Sequence, residues 1–161
     1  MITAFTGIAI IATGLLALIG LSETGSQGAG LLMPSDRKAV DRGREIYLSN
    51  CASCHGIDLQ GQVENWRSLG PDGLMPAPPH DETGHTWHHP DELLFRITKL
   101  GIAEAANLAN YRSAMPSYEG VLSDREIIDV LSYIKSTWPD EIRQRHDQLN
   151  ERYALEQPAS Q

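Results

Sequence analysis

The sequence predicts an all-α globular domain preceded by a single transmembrane helix. Residues 2–21 contain no charged side chain, and a helix of that length spans about 30 Å, the thickness of the hydrocarbon core of a bilayer. Beyond this segment, apolar side chains recur at the three- and four-residue spacing of helices packed on a core. A chain of 161 residues holds about one domain with terminal extensions.

These patterns divide the chain into four segments. Residues 1–21 are predicted to form a transmembrane anchor or an uncleaved signal, residues 22–35 a flexible tether rich in glycine and alanine, residues 36–138 the globular domain, and residues 139–161 a polar C-terminal helix or tail. A cleaved signal peptide is the alternative for the first segment. No basic residue precedes the apolar run and the best cleavage site, at residues 20–22, is weak, so the anchor is favoured.

Small residues follow one face of the predicted anchor, with Gly7 and Gly14 one heptad apart. Such a face lets a second membrane helix approach closely. It predicts a stable helix–helix contact with a larger membrane complex through Gly7 and Gly14. The alternative is that glycine and alanine are simply common in membrane helices.

The first helix of the domain is predicted to begin near Ser35 and Asp36, whose side chains suit a helix N-cap. Val40, Gly43 and Tyr47 then share one face. A glycine inside a helix costs about 1 kcal/mol relative to alanine. Its presence at position 43 predicts that another helix crosses closely over it.

The only two cysteines of the chain, Cys51 and Cys54, are followed directly by His55. This spacing lets two thiols on one helical turn bind covalently to one haem while the adjacent histidine ligates the iron, and it predicts one haem c attached through Cys51 and Cys54. A zinc site would need further soft ligands, and a thioredoxin-like pair would lie in a strand–helix–strand pattern.

Covalent haem attachment occurs outside the cytoplasm in bacteria. The predicted location is therefore the periplasmic side of the bacterial inner membrane, with a single-pass anchor.

Four of the six histidines lie within residues 80–89. Dense imidazoles beside carboxylates suit copper or zinc, so a second metal site formed by His85, His88 and His89 is one hypothesis. The alternative is a solvated loop that caps the following helix. That helix is predicted to begin at Pro90 and to end at Gly101. Its predicted inner face consists of Leu93, Leu94, Ile97 and Leu100.

The last helix of the domain opens with a capping-box pattern at Ser123–Glu126, and Pro139 follows its end. Its apolar face consists of Ile127, Leu131, Ile134 and Trp138. Residues 139–152 are strongly polar, which indicates a solvated surface helix; a clamp against the globule or a docking element is the alternative.

The net charge of −8 argues against binding to nucleic acids or other polyanions.

Four motifs follow one another along the chain: Gly-x-x-x-Tyr, Cys-x-x-Cys-His, Met-Pro, and a helix that opens with Leu-Ser-Asp-x-Glu and has Tyr-Ile near its end. In this order they resemble the motifs of class I c-type cytochromes. The resemblance covers Asp36 to Trp138. It implies a class I cytochrome c fold, in which helices surround one covalent haem and the first and last helices pack crosswise.

The same resemblance implies roles for residues on both sides of the iron. Met115 lies about as far after His55 as the methionine ligand of the family, so Met115 is predicted as the sixth ligand and Met75 as a packing residue. A thioether opposite imidazole raises the reduction potential. Gly70-Pro71 resembles the turn whose proline carbonyl accepts the other ring N–H of the proximal histidine, with Pro78-Pro79 as a rival.

Two aromatic residues, Trp87 and Tyr111, occupy places where family members bind haem propionates or line the pocket. Core packing is the alternative for each.

With both axial positions filled, the predicted function is the transfer of single electrons without a substrate site, and the chain is not expected to be an enzyme. The predicted donor is a quinol-oxidising complex or a dehydrogenase, and the predicted acceptor is a terminal oxidase or a photosynthetic reaction centre. A second hypothesis is a fixed cytochrome subunit of a respiratory, photosynthetic or dehydrogenase membrane complex. A haem sensor or haem enzyme and a metal-handling protein that uses residues 80–89 are further alternatives.

Overall fold

A computed structural model describes residues 30–157, and within that range the secondary structure consists of helices joined by turns and loops. This confirms the predicted all-α class. In chain order the elements are α1 (Arg37–Asn50), α2 (Ala52–His55), a 3₁₀ turn (Thr86–His88), α3 (Asp91–Leu100), α4 (Ile102–Ala105), α5 (Asp124–Ser136) and α6 (Asp140–Glu156).

The centre of the fold is the crossing of α1 and α5. Asp36 caps α1 by accepting hydrogen bonds from the backbone N–H groups of the first turn, and Ser123 with Glu126 forms the predicted capping box at the start of α5. At the crossing, a Cβ atom on Gly43 would lie 2.0 Å from the carbonyl oxygen of Asp129. The close helix contact predicted from Gly43 is therefore confirmed.

Helix α3 begins and ends where its sequence signals predict. Pro90 is the N-cap residue, and Gly101 ends the helix with φ = 89°, a left-handed conformation that glycine adopts easily. Of the predicted inner face only Leu94 is fully buried, and the other buried residues of this helix are Asp91 and Thr98. The polar side chain of Asp91 is thus buried at the first turn of α3.

Residues 30–35 do not belong to a flexible tether, which corrects the predicted boundary at residue 35. Leu32 is buried, and its backbone N–H donates to Asp91 Oδ2 at 3.0 Å. The backbone N–H of Met33 donates to Ser132 Oγ at 2.9 Å. These contacts fix the segment against α3 and α5.

Helix α6 packs on the domain and is not a solvated tail. His146 is fully buried, with its ring edge-on to Trp138 and its Nε2 2.8 Å from the carbonyl oxygen of His89. Asn150 exchanges hydrogen bonds with Asp91: its Oδ1 accepts from the backbone N–H, and its Nδ2 donates to the carboxylate. These contacts agree with the alternative prediction for this segment, a helix that packs against the globule as a clamp.

The predicted anchor at residues 1–21, its Gly7 and Gly14 face and most of the predicted tether lie outside the described residues. Among residues 30–157, none of the helices is both long enough and apolar enough to span a bilayer.

Candidate haem site

The attachment motif consists of Cys51, which joins α1 to α2, and of the four residues of α2. The backbone N–H of Cys51 donates to the carbonyl oxygen of Tyr47, and α2 continues for one turn to His55. Cys51 is half-buried and Cys54 is exposed. Burial and the neighbouring Cys54 raise the pKa of Cys51 to about 11.

His55 is held in the tautomer that an axial ligand requires. It is buried, and its Nδ1 lies 2.9 Å from the carbonyl oxygen of Pro78. A carbonyl oxygen only accepts hydrogen bonds, so Nδ1 carries the proton and the Nε2 lone pair remains available to a metal. Burial lowers the pKa of His55, although the bond to Pro78 opposes this effect. The imidazole is therefore neutral near pH 7, and the residues of the motif fit a covalently bound haem.

The carbonyl oxygen of Pro78 accepts the hydrogen bond from the His55 ring N–H, so the prediction that Pro71 supplies this carbonyl is wrong. Pro71 lies in an exposed turn, whereas Pro78-Pro79 is packed against Gly61. Gly61 has φ = 80°, and a Cβ atom there would lie 2.7 Å from the backbone nitrogen of Pro79. Gln62 also exchanges two hydrogen bonds with Ala77. This contact aligns the Pro78 carbonyl with His55.

His80 stacks on His55, with the ring centroids 3.9 Å apart and the ring planes at 21°. Burial lowers the pKa of His80 well below its usual range, and the neighbouring His55 and His85 add to this effect. No site role was predicted for His80 from the sequence. The sequence signals available for it are its place two residues after Pro78 and its membership of the histidine cluster, which was interpreted as a candidate metal site.

The remaining histidines of the cluster pair with aromatic rings. His85 stacks on Trp66, His88 packs against Trp87, and the ring of His89 lies edge-on to His85. Residues 30–157 contain no group of three or more His, Cys, Asp or Glu side chains placed to hold a metal ion. The structure therefore gives no support to the second metal site predicted at His85, His88 and His89.

Met115 is half-buried in the loop between α4 and α5, and its backbone N–H donates to Ser113 Oγ at 3.0 Å. The loop is tied to the attachment motif by Tyr118, whose hydroxyl donates to the carbonyl oxygen of Asn50 at 2.7 Å. Asn50 immediately precedes Cys51. The role of Met115 as sixth ligand remains a prediction.

Met75, the other methionine followed by proline, lines a cavity of about 480 Å³ that is also lined by Ala114. Ala114 directly precedes Met115, so the two candidate loops are neighbours. Met75 is therefore the rival that a test of Met115 has to exclude.

The two predicted pocket aromatics differ in their surroundings. The indole N–H of Trp87 already donates to the carbonyl oxygen of Glu82 at 3.2 Å, which favours the packing alternative. Tyr111 lies in a loop with its side chain exposed, and a propionate contact there stays a prediction. Trp66 is a buried aromatic residue for which the sequence predicted no role, and the Arg67 guanidinium lies 4.0 Å from its ring centroid.

Comparison with known proteins is consistent with this geometry. The family model described as Cytochrome c matches residues 40–138. The cytochrome c subunit of alcohol dehydrogenase (quinone) from Gluconobacter oxydans (strain 621H) is 32% identical over 96 residues, which cover 60% of this chain and 18% of the relative. The corresponding subunit from Gluconacetobacter polyoxogenes is 26% identical over 107 residues, covering 66% and 21%.

A third relative is the Cbb3-type cytochrome c oxidase subunit CcoP of Rhodobacter capsulatus, 26% identical over 103 residues that cover 64% of this chain and 31% of the relative. The chain thus spans about a fifth to a third of the length of these curated relatives. No solved structure matches it. Since the family model covers more than half of the chain and includes Cys51, Cys54 and His55, the chain belongs to the cytochrome c family.

Proposed function

We propose that the chain binds one haem c covalently through Cys51 and Cys54 and carries single electrons, with His55 and Met115 as the axial ligands. The observation that carries this proposal is the hydrogen bond between His55 Nδ1 and the Pro78 carbonyl, which leaves Nε2 free beside the two thiols. When bound, haem c supplies a one-electron couple between ferric and ferrous iron.

The protein's own residues bind and shield the group. Cys51 and Cys54 would hold the haem at the end of α1, and His55 and Met115 would ligate its iron, which would leave no coordination position for a substrate. Tyr47 is buried beside the motif, with its hydroxyl donating to the carbonyl oxygen of Gly56, the residue after His55. Its ring also lies edge-on to His80, which stacks on His55. Cys54 is exposed, so the edge of the haem beside its thiol would be accessible to electron-transfer partners.

The partners that fit this function are membrane redox complexes. Relatives of this chain are named as subunits of a quinone-linked alcohol dehydrogenase and of a cbb3-type oxidase. These names support a dehydrogenase as donor and a terminal oxidase as acceptor. A quinol-oxidising complex as donor and a photosynthetic reaction centre as acceptor stay predictions from the sequence. The apolar residues 2–21 support a single-pass anchor with the haem domain on the periplasmic side of a bacterial inner membrane. Tethering raises the concentration of the carrier near such partners.

The test is expression of the full chain in a bacterium with a haem-attachment system. We expect one haem per chain that survives denaturing electrophoresis, reversible one-electron reduction, and no binding of carbon monoxide to the ferrous protein at neutral pH. The double variant Cys51→Ala with Cys54→Ala is the control and should carry no covalent haem. Carbon monoxide binding by the native protein would instead support a sensor or an enzyme.

A fixed subunit of a membrane complex is the second candidate, and it is favoured by the relatives, which are named as subunits. It predicts stoichiometric co-purification with a partner complex in mild detergent, whereas a free carrier would be lost. The double variant Gly7→Leu with Gly14→Leu should abolish this co-purification. Unchanged co-purification would contradict a contact through the small-residue face.

A further inference from the structure

We propose that His80 is a positioning residue for the proximal ligand: its ring holds the plane of the His55 imidazole and thereby influences the reduction potential of the iron. The inference rests on the proposed function, because it requires the His55 Nε2 to bind haem iron. It concerns a residue outside the attachment motif and outside the predicted axial pair.

The geometry shows why His55 needs a second constraint. The bond from Nδ1 to the Pro78 carbonyl fixes the direction of one ring atom, at 2.9 Å. One hydrogen bond still allows the ring plane to tilt about that direction. The His80 ring covers one face of His55 at a centroid distance of 3.9 Å and nearly parallel, at 21°. A tilt of the His55 ring would drive its edge into this neighbour.

His80 is itself fixed from three other segments of the chain. Its backbone N–H donates to the carbonyl oxygen of Leu59 at 2.8 Å, and its carbonyl oxygen accepts from Trp138 Nε1 at 2.7 Å. Its ring Nδ1 lies within hydrogen-bonding distance of Thr86 Oγ1, at 2.9 Å. A ring restrained at its backbone and at its edge can restrain a second ring.

The backbone at Leu59 supports the same conclusion. Leu59 has φ = 62°, a left-handed conformation that is unfavourable for a residue with a branched side chain. Its carbonyl oxygen accepts hydrogen bonds from the backbone N–H groups of both His80 and Asp81. The conformational cost is thus offset by contacts that place His80 against His55.

The expected consequences are electronic. Groups that orient a metal ligand and control its exposure to solvent tune the redox potential of the metal. The orientation of the axial imidazole also determines how unpaired spin is distributed over a ferric haem, which is visible in the hyperfine shifts of the haem methyl groups. Both quantities depend on ring position, and a residue that only stabilised the fold would leave both unchanged.

The experiment compares four variants of the full, haem-loaded chain. His80→Ala removes the stacked ring, His80→Phe keeps a ring but loses the contact to Thr86, and Thr86→Val removes that contact alone. His88→Ala is the matched control, since His88 is exposed and packs on Trp87. For each protein the measurements are haem content, the reduction potential by spectroelectrochemistry, and the haem methyl shifts of the ferric form.

We expect His80→Ala to keep its haem, to show altered haem methyl shifts, and to have a lower potential because water reaches the proximal side. His80→Phe should restore both quantities toward the native values, Thr86→Val should change them in the same direction as His80→Ala but less, and His88→Ala should leave them unchanged.

Native methyl shifts and potential in His80→Ala would overturn the inference, and so would a failure of His80→Phe to restore them. If His80→Ala does not retain haem, Thr86→Val decides the question, and unchanged values in that variant would overturn the inference. Absence of covalent haem from the native chain would instead overturn the proposed function and the inference together.

Discussion

The Pro78 carbonyl lies 2.9 Å from His55 Nδ1 and selects which imidazole nitrogen stays free for a metal. Because the acceptor belongs to the backbone, a substitution of the side chain at position 78 does not remove it directly. The restraint instead depends on the backbone path of residues 77–79, which Gly61 and Gln62 hold in place. At the scale of single residues, the His55 imidazole is thus held mainly by backbone contacts and by the His80 ring.

Met115→Ala should remove the sixth ligand from the iron. We expect loss of the weak sulfur-to-iron charge-transfer band of the ferric protein, a lower reduction potential, and binding of carbon monoxide by the ferrous form, because a thioether favours ferrous iron and closes the axial position. Absorption spectra and a redox titration measure these changes.

Met75→Ala is the matched control, because Met75 is also a half-buried methionine followed by proline. It should keep the charge-transfer band. A band that survives in Met115→Ala and disappears in Met75→Ala would assign the ligand to Met75.

Part of the site could be predicted from residue spacing alone and part could not. Cys51, Cys54 and His55 are close in sequence, so their juxtaposition on one helical turn follows from local geometry. The contact of Pro78 with His55 joins residues 23 positions apart and depends on the packing of the intervening loop. The stacking of His80 on His55 likewise depends on the packing of this loop. A Gly-Pro dipeptide at residues 70–71 could not reveal that its turn is exposed.

At the scale of elements, α1 and α5 are joined by close backbone contact and by charge. Arg42 and Arg125 both donate to the buried carboxylate of Asp129, at 2.7 and 2.9 Å through their Nε atoms. Gly43, one residue after Arg42, lies against the Asp129 carbonyl. The crossing therefore combines a steric requirement for glycine with a carboxylate shared between two helices.

Gly43→Ala should force α1 and α5 apart. The added Cβ would lie 2.0 Å from the Asp129 carbonyl oxygen, a backbone atom that cannot rotate away. Overpacking of this kind lowers the free energy of unfolding by about 2 kcal/mol or more, and the intrinsic helix preference of alanine offsets only part of it. Urea denaturation of the haem-loaded chain measures the change.

The matched control is Asp41→Ala, at an exposed position of the same helix, which should leave the free energy of unfolding nearly unchanged. Equal stability of Gly43→Ala and the native chain would show that the helices separate at little cost.

The helices were predictable to different degrees. α1, α3 and α5 carry apolar residues at helical spacing together with capping residues, and all three begin within one or two residues of the expected position. The packing of α6 was harder to predict because its contacts are polar: His146 and Asn150 are buried among side chains distant in sequence. The docking of Leu32 depends on the same distant partner, Asp91.

At the scale of the whole molecule, both ends of the described chain meet at one buried polar cluster. Asp91 accepts from the backbone of Leu32 near one end and from Asn150 near the other. Lys135, also buried, lies 3.8 Å from Asp91 and 2.6 Å from Asp147. Because an unpaired buried charge is costly, each partner in this cluster stabilises the others.

The same cluster predicts that acid destabilises the protein. His146 faces Asp91 on α3, Lys135 on α5 and Asp147 on its own helix; burial and Lys135 lower its pKa, and the carboxylates oppose this. The unfolded chain therefore binds more protons than the folded chain, and stability is lost as the pH falls through the ordinary histidine pKa of about 6.5. Urea midpoints at pH 7 and pH 5 test this expectation.

His146→Gln should weaken the dependence on pH while keeping a donor for the His89 carbonyl. The half-buried His85 and His89 also have lowered pKa values, mainly because of their partial burial, so some dependence should remain. An equal loss of stability between the two pH values in native and variant chains would exclude His146 as a contributor.

The docking of residues 30–33 also has a mechanical consequence. A pulling force that enters the globule from its N-terminal side first meets the hydrogen bonds of Leu32 to Asp91 and of Met33 to Ser132. These bonds transmit the load to α3 and α5 before it can reach α1, which leads to Cys51. Tension that enters from the N-terminal side would therefore be borne by the cluster around Asp91 before it reaches the turn that carries the two thiols.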